Sequence, residues 1–199
     1  CMKSCIYQKQ DPVDIPQSET RILKDVLALP WGFEIYSLLT RWNPLNLRQP
    51  LPAAPSGKRA LVVGLGPAGY TLSHYLLNEG FTVAGIEGLK VEPYADELTG
   101  KNGKPLTPIR DWKTIATSLD TRVLEGFGGV SEYGITVRWD KSFLSLIHLT
   151  LARREGFKAY GGVRFGGTLT IEWLRDDHVS MTGGIALAYR GELDRSLLS

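Results

Sequence analysis

Cysteine is nearly absent from this sequence: only Cys1 and Cys5 among 199 residues, in the stretch CMKSC. A C-x-x-x-C pair falls short of the four thiolates that a four-iron cluster needs. Taken alone it leaves open two free thiols, a disulfide, or two ligands at one edge of a metal or cluster. Charge imbalance is lacking too. A net charge of +2 with no basic stripe argues against a nucleic-acid partner. No apolar run approaches the length that crosses a bilayer, and no signal peptide can be read at the start. A non-membrane, cytoplasmic protein is the resulting expectation. An initiating methionine is also missing, so the chain is read as processed, trimmed or a piece of something longer.

What is present is ordinary in bulk and specific in places. Hydrophobic residues at 43% and charged residues at 22% are typical of a globular chain. At this length there is room for one large or two small domains with a real core.

Residues 59–87, RALVVGLGPAGYTLSHYLLNEGFTVAGIE, organise the reading. Leu61, Val62 and Val63 form the short apolar run of a parallel strand buried on both faces. Gly64, Gly66 and Gly69 then spell G-x-G-x-x-G. The first glycine makes a tight turn, the second lets backbone approach a pyrophosphate, and the third lets helix pack closely on strand. A helix opening at Pro67 and Ala68 aims its free N–H groups and positive dipole end at phosphates. The spacing predicts helix to Glu79, a stop at Gly80, and a second strand over residues 81–86. Glu87 follows, about 20 residues beyond the first glycine, where an acid accepts hydrogen bonds from ribose hydroxyls and repels a 2′-phosphate.

Upstream, Ser18 is the expected N-cap of a helix over residues 18–29, with Ile22, Leu23, Val26 and Leu27 as its apolar face and Pro30 closing it. A second helix is expected over residues 33–42, with Phe33, Tyr36, Leu39 and Trp42 inward. Residues 48–57, RQPLPAAPSG, read as a linker.

Downstream of Glu87 a long segment interrupts the strand–helix alternation, as lids, binding loops and insertions do. Within it KNGK, residues 101–104, signals a turn. Its charged residues Asp96, Glu97, Arg110, Asp111 and Lys113 are expected to form a solvated face. Residues 126–140 carry Gly128 and Gly129 ahead of Tyr133 and Gly134; glycines there allow backbone to lie against a flat ligand, and also suit a plain hairpin. Residues 142–155 are expected as a helix with Phe143, Ile147 and Leu151 on one stripe, His148 being packed or exposed rather than a ligand. A strand is expected over residues 160–165 and a helical turn over 168–174.

Three blocks taken together resemble the flavin-dependent oxidoreductases related to the small (beta) subunit of glutamate synthase. CMKSCIYQKQDPVDIPQSE is similar to the end of that family's cysteine-rich segment. VVGLGPAGYTLSHYLLNEGFTVAGIE resembles its FAD fingerprint, and GGVSEYGITVRWD its flavin-contacting G-G-x-x-x-Y-G-I-P loop, with Thr136 in place of the proline. The likeness covers about residues 1–172 and nearly stops beyond them. A second glycine fingerprint, for NAD(P)H, does not occur.

The resemblance implies an α/β chain: residues 1–47 as the C-terminal part of an iron–sulfur-type helical domain, and 58–172 as a partial Rossmann-like FAD domain with an insertion at about 88–125. Residues 173–199 form a tail without assigned role. It implies FAD held by Gly64, Gly66, Pro67, Ala68, Gly69 and Glu87, with Gly128, Gly129, Tyr133 and Gly134 near the isoalloxazine. Cys1 and Cys5 would be two ligands of a four-iron four-sulfur cluster completed by cysteines outside this chain. The function implied is electron transfer between NAD(P)H, FAD and clusters, with an electron-accepting subunit or the rest of the same polypeptide as partner. No side chain is assigned as catalytic. The competing readings are a non-catalytic nucleotide-binding module or truncated remnant, and an NAD-dependent dehydrogenase.

Overall fold

The computed structural model describes residues 6–7, 9–10, 15–88, 91, 94–116, 142–167, 170–173 and 179–182. Helices α1 (Ile15–Leu27) and α2 (Gly32–Leu39) come first. Then follow strand β1 (Arg59–Val63), helix α3 (Pro67–Asn78), strand β2 (Thr82–Ile86), a one-turn helix α4 (Asp96–Thr99), helix α5 (Ser142–Ala152) and strand β3 (Phe157–Tyr160). A hairpin of β4 (Thr170–Trp173) and β5 (Val179–Thr182) ends the described part. The class is α/β, as expected.

The main sheet is three-stranded and wholly parallel, in the order β1-β2-β3. Val62 pairs with Gly85 and Val83 with Phe157, so alternation along the strands puts these residues on one face. Helices α3 and α5 close that face through Tyr70, Leu77, Leu144 and Leu151. The opposite face is less covered: Val63 is 54% exposed, where burial of β1 on both faces was expected. The correction has a simple cause. Helices α3 and α5 pack on the face that carries Val62, and on the other face Val63, the last residue of β1, is left exposed although its neighbour Ile86 in β2 is buried.

Helix α5 has no polar face. Phe143, Leu146 and Leu149 enter a second cluster with Leu27 and Phe33, while Leu144 and Leu151 enter the cluster on the sheet. The single stripe of Phe143, Ile147 and Leu151 was thus too narrow a reading of SFLSLIHLTLA; a helix apolar all round is one buried all round.

The second cluster also holds Ile109, with Tyr94, Leu98, Trp112 and Ile115 against it, so part of the long segment after Glu87 is core. Its KNGK turn has Asn102 and Gly103 both at positive φ, closed by the Lys104 N–H to Lys101 carbonyl bond.

Glu34 on α2 knits this layer together. Its carboxylate receives two N–H groups of Arg153, at 2.7 and 3.1 Å, and the Ile109 N–H at 2.7 Å. The Arg153 side chain is 3% exposed, donates also to the Leu98 carbonyl, and lies over the Phe33 ring.

Several local expectations need correction. Helix α1 starts at Ile15, so Ser18 is inside it and is no N-cap; Pro16, which has no N–H to leave unpaired, suits the first turn better. Its inward residues are Thr20, Leu23 and Leu27, while Ile22 is 67% exposed. Helix α2 stops at Leu39, and Leu39 and Trp42 are exposed where core was expected. Helix α5 ends at Ala152, before Glu155. Strand β3 begins directly after Gly156 and has ended before Gly161 and Gly162, earlier than the expected residues 160–165. Thr170–Trp173 is a strand and not a helical turn, in keeping with its β-branched and aromatic residues. Residues 48–57 run along the end of α3, with Ala53 N–H on the Asn78 carbonyl at 2.7 Å and Ser56 N–H on the Gly80 carbonyl at 2.9 Å.

Two predictions follow from these buried polar groups. Replacing Glu34 by Ala strands the Arg153 guanidinium in the core and should cost about 3 kcal/mol in urea unfolding. Adding Arg153→Met should recover part of that loss, whereas additive losses would contradict the pairing. The second concerns His148, whose Nδ1 lies 3.0 Å from the Tyr70 hydroxyl and whose ring stacks on Tyr94. Burial, aided by the Lys101 charge, lowers its pKa from 6.5 to about 4. The unfolded chain therefore takes up this proton first as pH falls. Stability present above 6.5 should be lost toward 4, by about 3 kcal/mol when complete. Half-buried His74, also lowered by burial, acts in the same direction. Urea midpoints across that window should fall, and His148→Gln should flatten the slope.

Candidate nucleotide site

The site is built at the carboxyl ends of β1 and β2, the crevice where open α/β sheets take ligands. Strand β1 leads straight into Gly64, which has φ of +92°, a conformation that side-chain-bearing residues rarely adopt. Its N–H bonds to the Ile86 carbonyl at 2.8 Å, tying the start of the turn to the end of β2.

Gly66 is the N-cap of α3 and Pro67 its first residue. The first backbone bond of the helix runs from the Tyr70 N–H to the Gly66 carbonyl. The N–H groups of Ala68 and Gly69 precede it, so helix geometry gives them no intrahelical acceptor. Among the described residues a Cβ built on Gly66 meets nothing within 4 Å. Gly69 is the opposite case. A Cβ there would overlap the Gly64 carbonyl oxygen and come within 3.5 Å of Val62 Cγ1, so its bare backbone is what lets α3 lie this close to β1.

Glu87 leaves the end of β2 and turns back to the glycine turn, where its Oε2 accepts the Leu65 N–H at 2.7 Å. Its carboxylate and the helix N-terminus thus meet at the same turn. Gly64, Gly66, Pro67, Ala68, Gly69 and Glu87 are brought together. Gly128, Gly129, Tyr133, Gly134, Cys1 and Cys5 lie outside the described residues. Among the described residues no group of three or more histidines, cysteines and acids could hold a metal.

Two members of this arrangement were not singled out from sequence. The Leu65 side chain is buried and lies over Gly85, where a Cβ would come within 2.6 Å of Leu65 Cδ2. An isolated glycine inside a strand signals such close approach, and Gly85 carried that signal.

Beneath the turn, Tyr70 fills the gap between α3 and α5. Burial raises its pKa, with Tyr94 and Glu87 adding to the rise. Tyr94 is pushed up to about 12 by burial and donates to the Ser145 carbonyl at 2.8 Å. With His148 neutral as well, the support under the helix N-terminus is polar and uncharged. A separate groove of about 570 Å³, lined by residues that include Leu29, Pro30, Ile109 and Trp112, shares no residue with the glycine turn.

The two glycines make opposite predictions. Gly69→Ala should destabilise the chain by about 2 kcal/mol through overpacking, and Gly66→Ala by less than about 1 kcal/mol. Thermal unfolding of the two variants distinguishes them; equal losses would mean that α3 is not held against β1 at Gly69.

No protein-family model matches the chain. It is 49% identical over 187 residues to a protein of Rickettsia prowazekii (strain Madrid E) with the name uncharacterized protein RP006; the match covers 92% of this chain and 26% of that protein. The chain therefore spans about a quarter of the length of this relative. A shorter match, 53% identical over 34 residues, is to the diaminopimelate epimerase of Acidiphilium cryptum (strain JF-5), covering 17% of this chain and 12% of that enzyme.

Proposed function

We propose that this chain is the FAD-binding part of a flavin-dependent NAD(P)H oxidoreductase related to the glutamate synthase small (beta) subunit. The observation that carries the reading is the convergence of the Gly64–Gly66 turn, the N-terminus of α3 and the Glu87 carboxylate at adjacent ends of two parallel strands. The residues present fit the adenosine and pyrophosphate half of such a cofactor. Among the described residues nothing lies within 4 Å of a Cβ built on Gly66, which leaves room for a phosphate; the Ala68 and Gly69 N–H groups have no helical acceptor, and the Glu87 carboxylate stands at the same turn, bonded to the Leu65 N–H, at the position of a ribose-binding acid.

In this reading FAD supplies the redox chemistry, passing electrons between NAD(P)H and iron–sulfur clusters, and the protein binds and orients it. The glycine turn and α3 fix the pyrophosphate by backbone N–H groups and dipole. Gly128, Gly129, Tyr133 and Gly134 are assigned to the flavin ring, and Cys1 and Cys5 to a cluster with ligands elsewhere in a longer protein. Coverage of only a quarter of the Rickettsia relative suits such a part. The sequence carries no second glycine fingerprint, so the chain alone binds flavin without turning over nicotinamide.

The test is reconstitution with FAD followed by desalting and a visible spectrum. Retained flavin bands are expected, and Glu87→Arg should weaken FAD binding by roughly 10-fold or more through loss of its ribose hydrogen bonds. Adding NADPH without oxygen should leave the bands unbleached. A chain that retains no FAD, or a variant that binds it as well as the parent does, would overturn the proposal.

A further inference from the structure

We infer that the outer side of α2 and the loop that follows it form a docking surface for an anionic lipid leaflet. The surface shares no residue with the glycine turn, so the inference stands apart from the nucleotide reading.

Its centre is a row of apolar side chains left outside the core. Trp31, Ile35, Leu38 and Trp42 are all exposed, and they recur at intervals of four, three and four residues. The Ile35 N–H bonds to the Trp31 carbonyl at 3.0 Å and the Trp42 N–H to the Leu38 carbonyl at 2.9 Å. Helical spacing thus runs past both ends of α2, and the four residues share one side. The other side is fixed by buried Phe33 and by Glu34 on Arg153, so the row is firmly held. An apolar row of this length on a well-packed helix marks an interaction surface.

The loop extends it. The Asn43 N–H closes onto the Pro50 carbonyl at 2.8 Å, and the Leu45 and Asn46 N–H groups bond back to the side chain and the carbonyl of Asn43 at 3.1 and 3.0 Å. The Gln49 N–H bonds to the Asn46 side chain at 3.2 Å. Residues 44 and 50 are prolines, so four of the six N–H groups in residues 43–50 are bonded within the loop. Leu45 and Leu47 are nevertheless 89% and 91% exposed. A loop with its backbone donors bonded internally can place leucines among acyl chains without stranding those donors.

Charge selects the occupant. Between Glu34, which is committed to Arg153, and Glu79 the sequence has no acid, whereas exposed Arg41 and Arg48 stand among the apolar residues. Leucines interspersed with arginines, and a tryptophan at each end of the helical row, are the chemistry of a segment lying in the headgroup region of an anionic leaflet. A second copy would instead bring the arginines of both chains into one contact, with no acid from residues 35–57 to pair them. Among the described residues no helix is long and apolar enough to cross a membrane, so the contact is with one leaflet. The missing long apolar run, which underlay the expectation of a non-membrane protein, does not bear on such a contact.

The test is co-sedimentation of the full chain with vesicles of phosphatidylcholine alone or with about 30% phosphatidylserine. The parent should bind the anionic vesicles at least about 10-fold better than the neutral ones. Leu45→Ser combined with Leu47→Ser should weaken binding to anionic vesicles about 10-fold or more. Arg41→Gln combined with Arg48→Gln should do the same and remove the preference for anionic lipid. All four side chains are exposed, so unchanged melting temperatures separate lost binding from lost folding. Equal binding of the parent to both kinds of vesicle, or a leucine double variant that binds as the parent does, would overturn the inference. A parent that stays in the supernatant would overturn it too. Sedimentation equilibrium then says what covers the surface instead: a dimer assigns it to a second copy, and a monomer to a protein partner or another part of a longer polypeptide.

Discussion

The arrangement depends on how closely α3 approaches β1. At Gly69 the helix backbone meets the Gly64 carbonyl with no room for a side chain between them. That contact holds the helix N-terminus directly over the end of the strand, and Gly64, at positive φ, makes the sharp turn that joins the two. Leu65, caught in the turn, lies over Gly85 in β2 and presents its N–H to Glu87. One steric constraint thereby fixes three things a nucleotide would meet: the dipole end of a helix, an open backbone cradle and a carboxylate. None of them needs a charged side chain in the core.

The rest of the described structure braces that corner. Helix α5 lies behind α3 and is buried among Tyr70, Leu77 and Phe157 on one side and Leu27, Phe33 and Ile109 on the other. The Glu34–Arg153 pair fastens its end to α2 and, through the Ile109 N–H, to the segment after Glu87. A buried pair of this kind gives geometric definition more than net stability, because desolvation offsets most of its Coulomb attraction. Tyr70, His148 and Tyr94 complete the support as neutral groups.

What could be read from the sequence was local. The glycine turn, α3 and β2 follow from residues within about one βαβ unit, where each glycine has its own steric task. Positions set by distant partners were less legible. Ser18 looks like an N-cap, but the helix starts one turn earlier, at Ile15. Trp42 continues the helical spacing of Phe33 and Tyr36, but α2 ends before reaching it. Glu34 and Arg153 are 119 residues apart, and nothing local announces the pair. The run SFLSLIHLTLA did carry its own warning, since it has no polar face to turn outward.

The central claim is that a dinucleotide sits on the Gly64–Gly69 turn with its ribose at Glu87. Amide chemical-shift mapping by NMR during titration with FAD tests it most directly, since it locates the ligand residue by residue. The largest perturbations are expected on Leu65, Gly66, Ala68, Gly69 and Glu87. Shifts centred instead on the groove formed by Leu29, Pro30 and Trp112, or no saturable shifts at all, would contradict it.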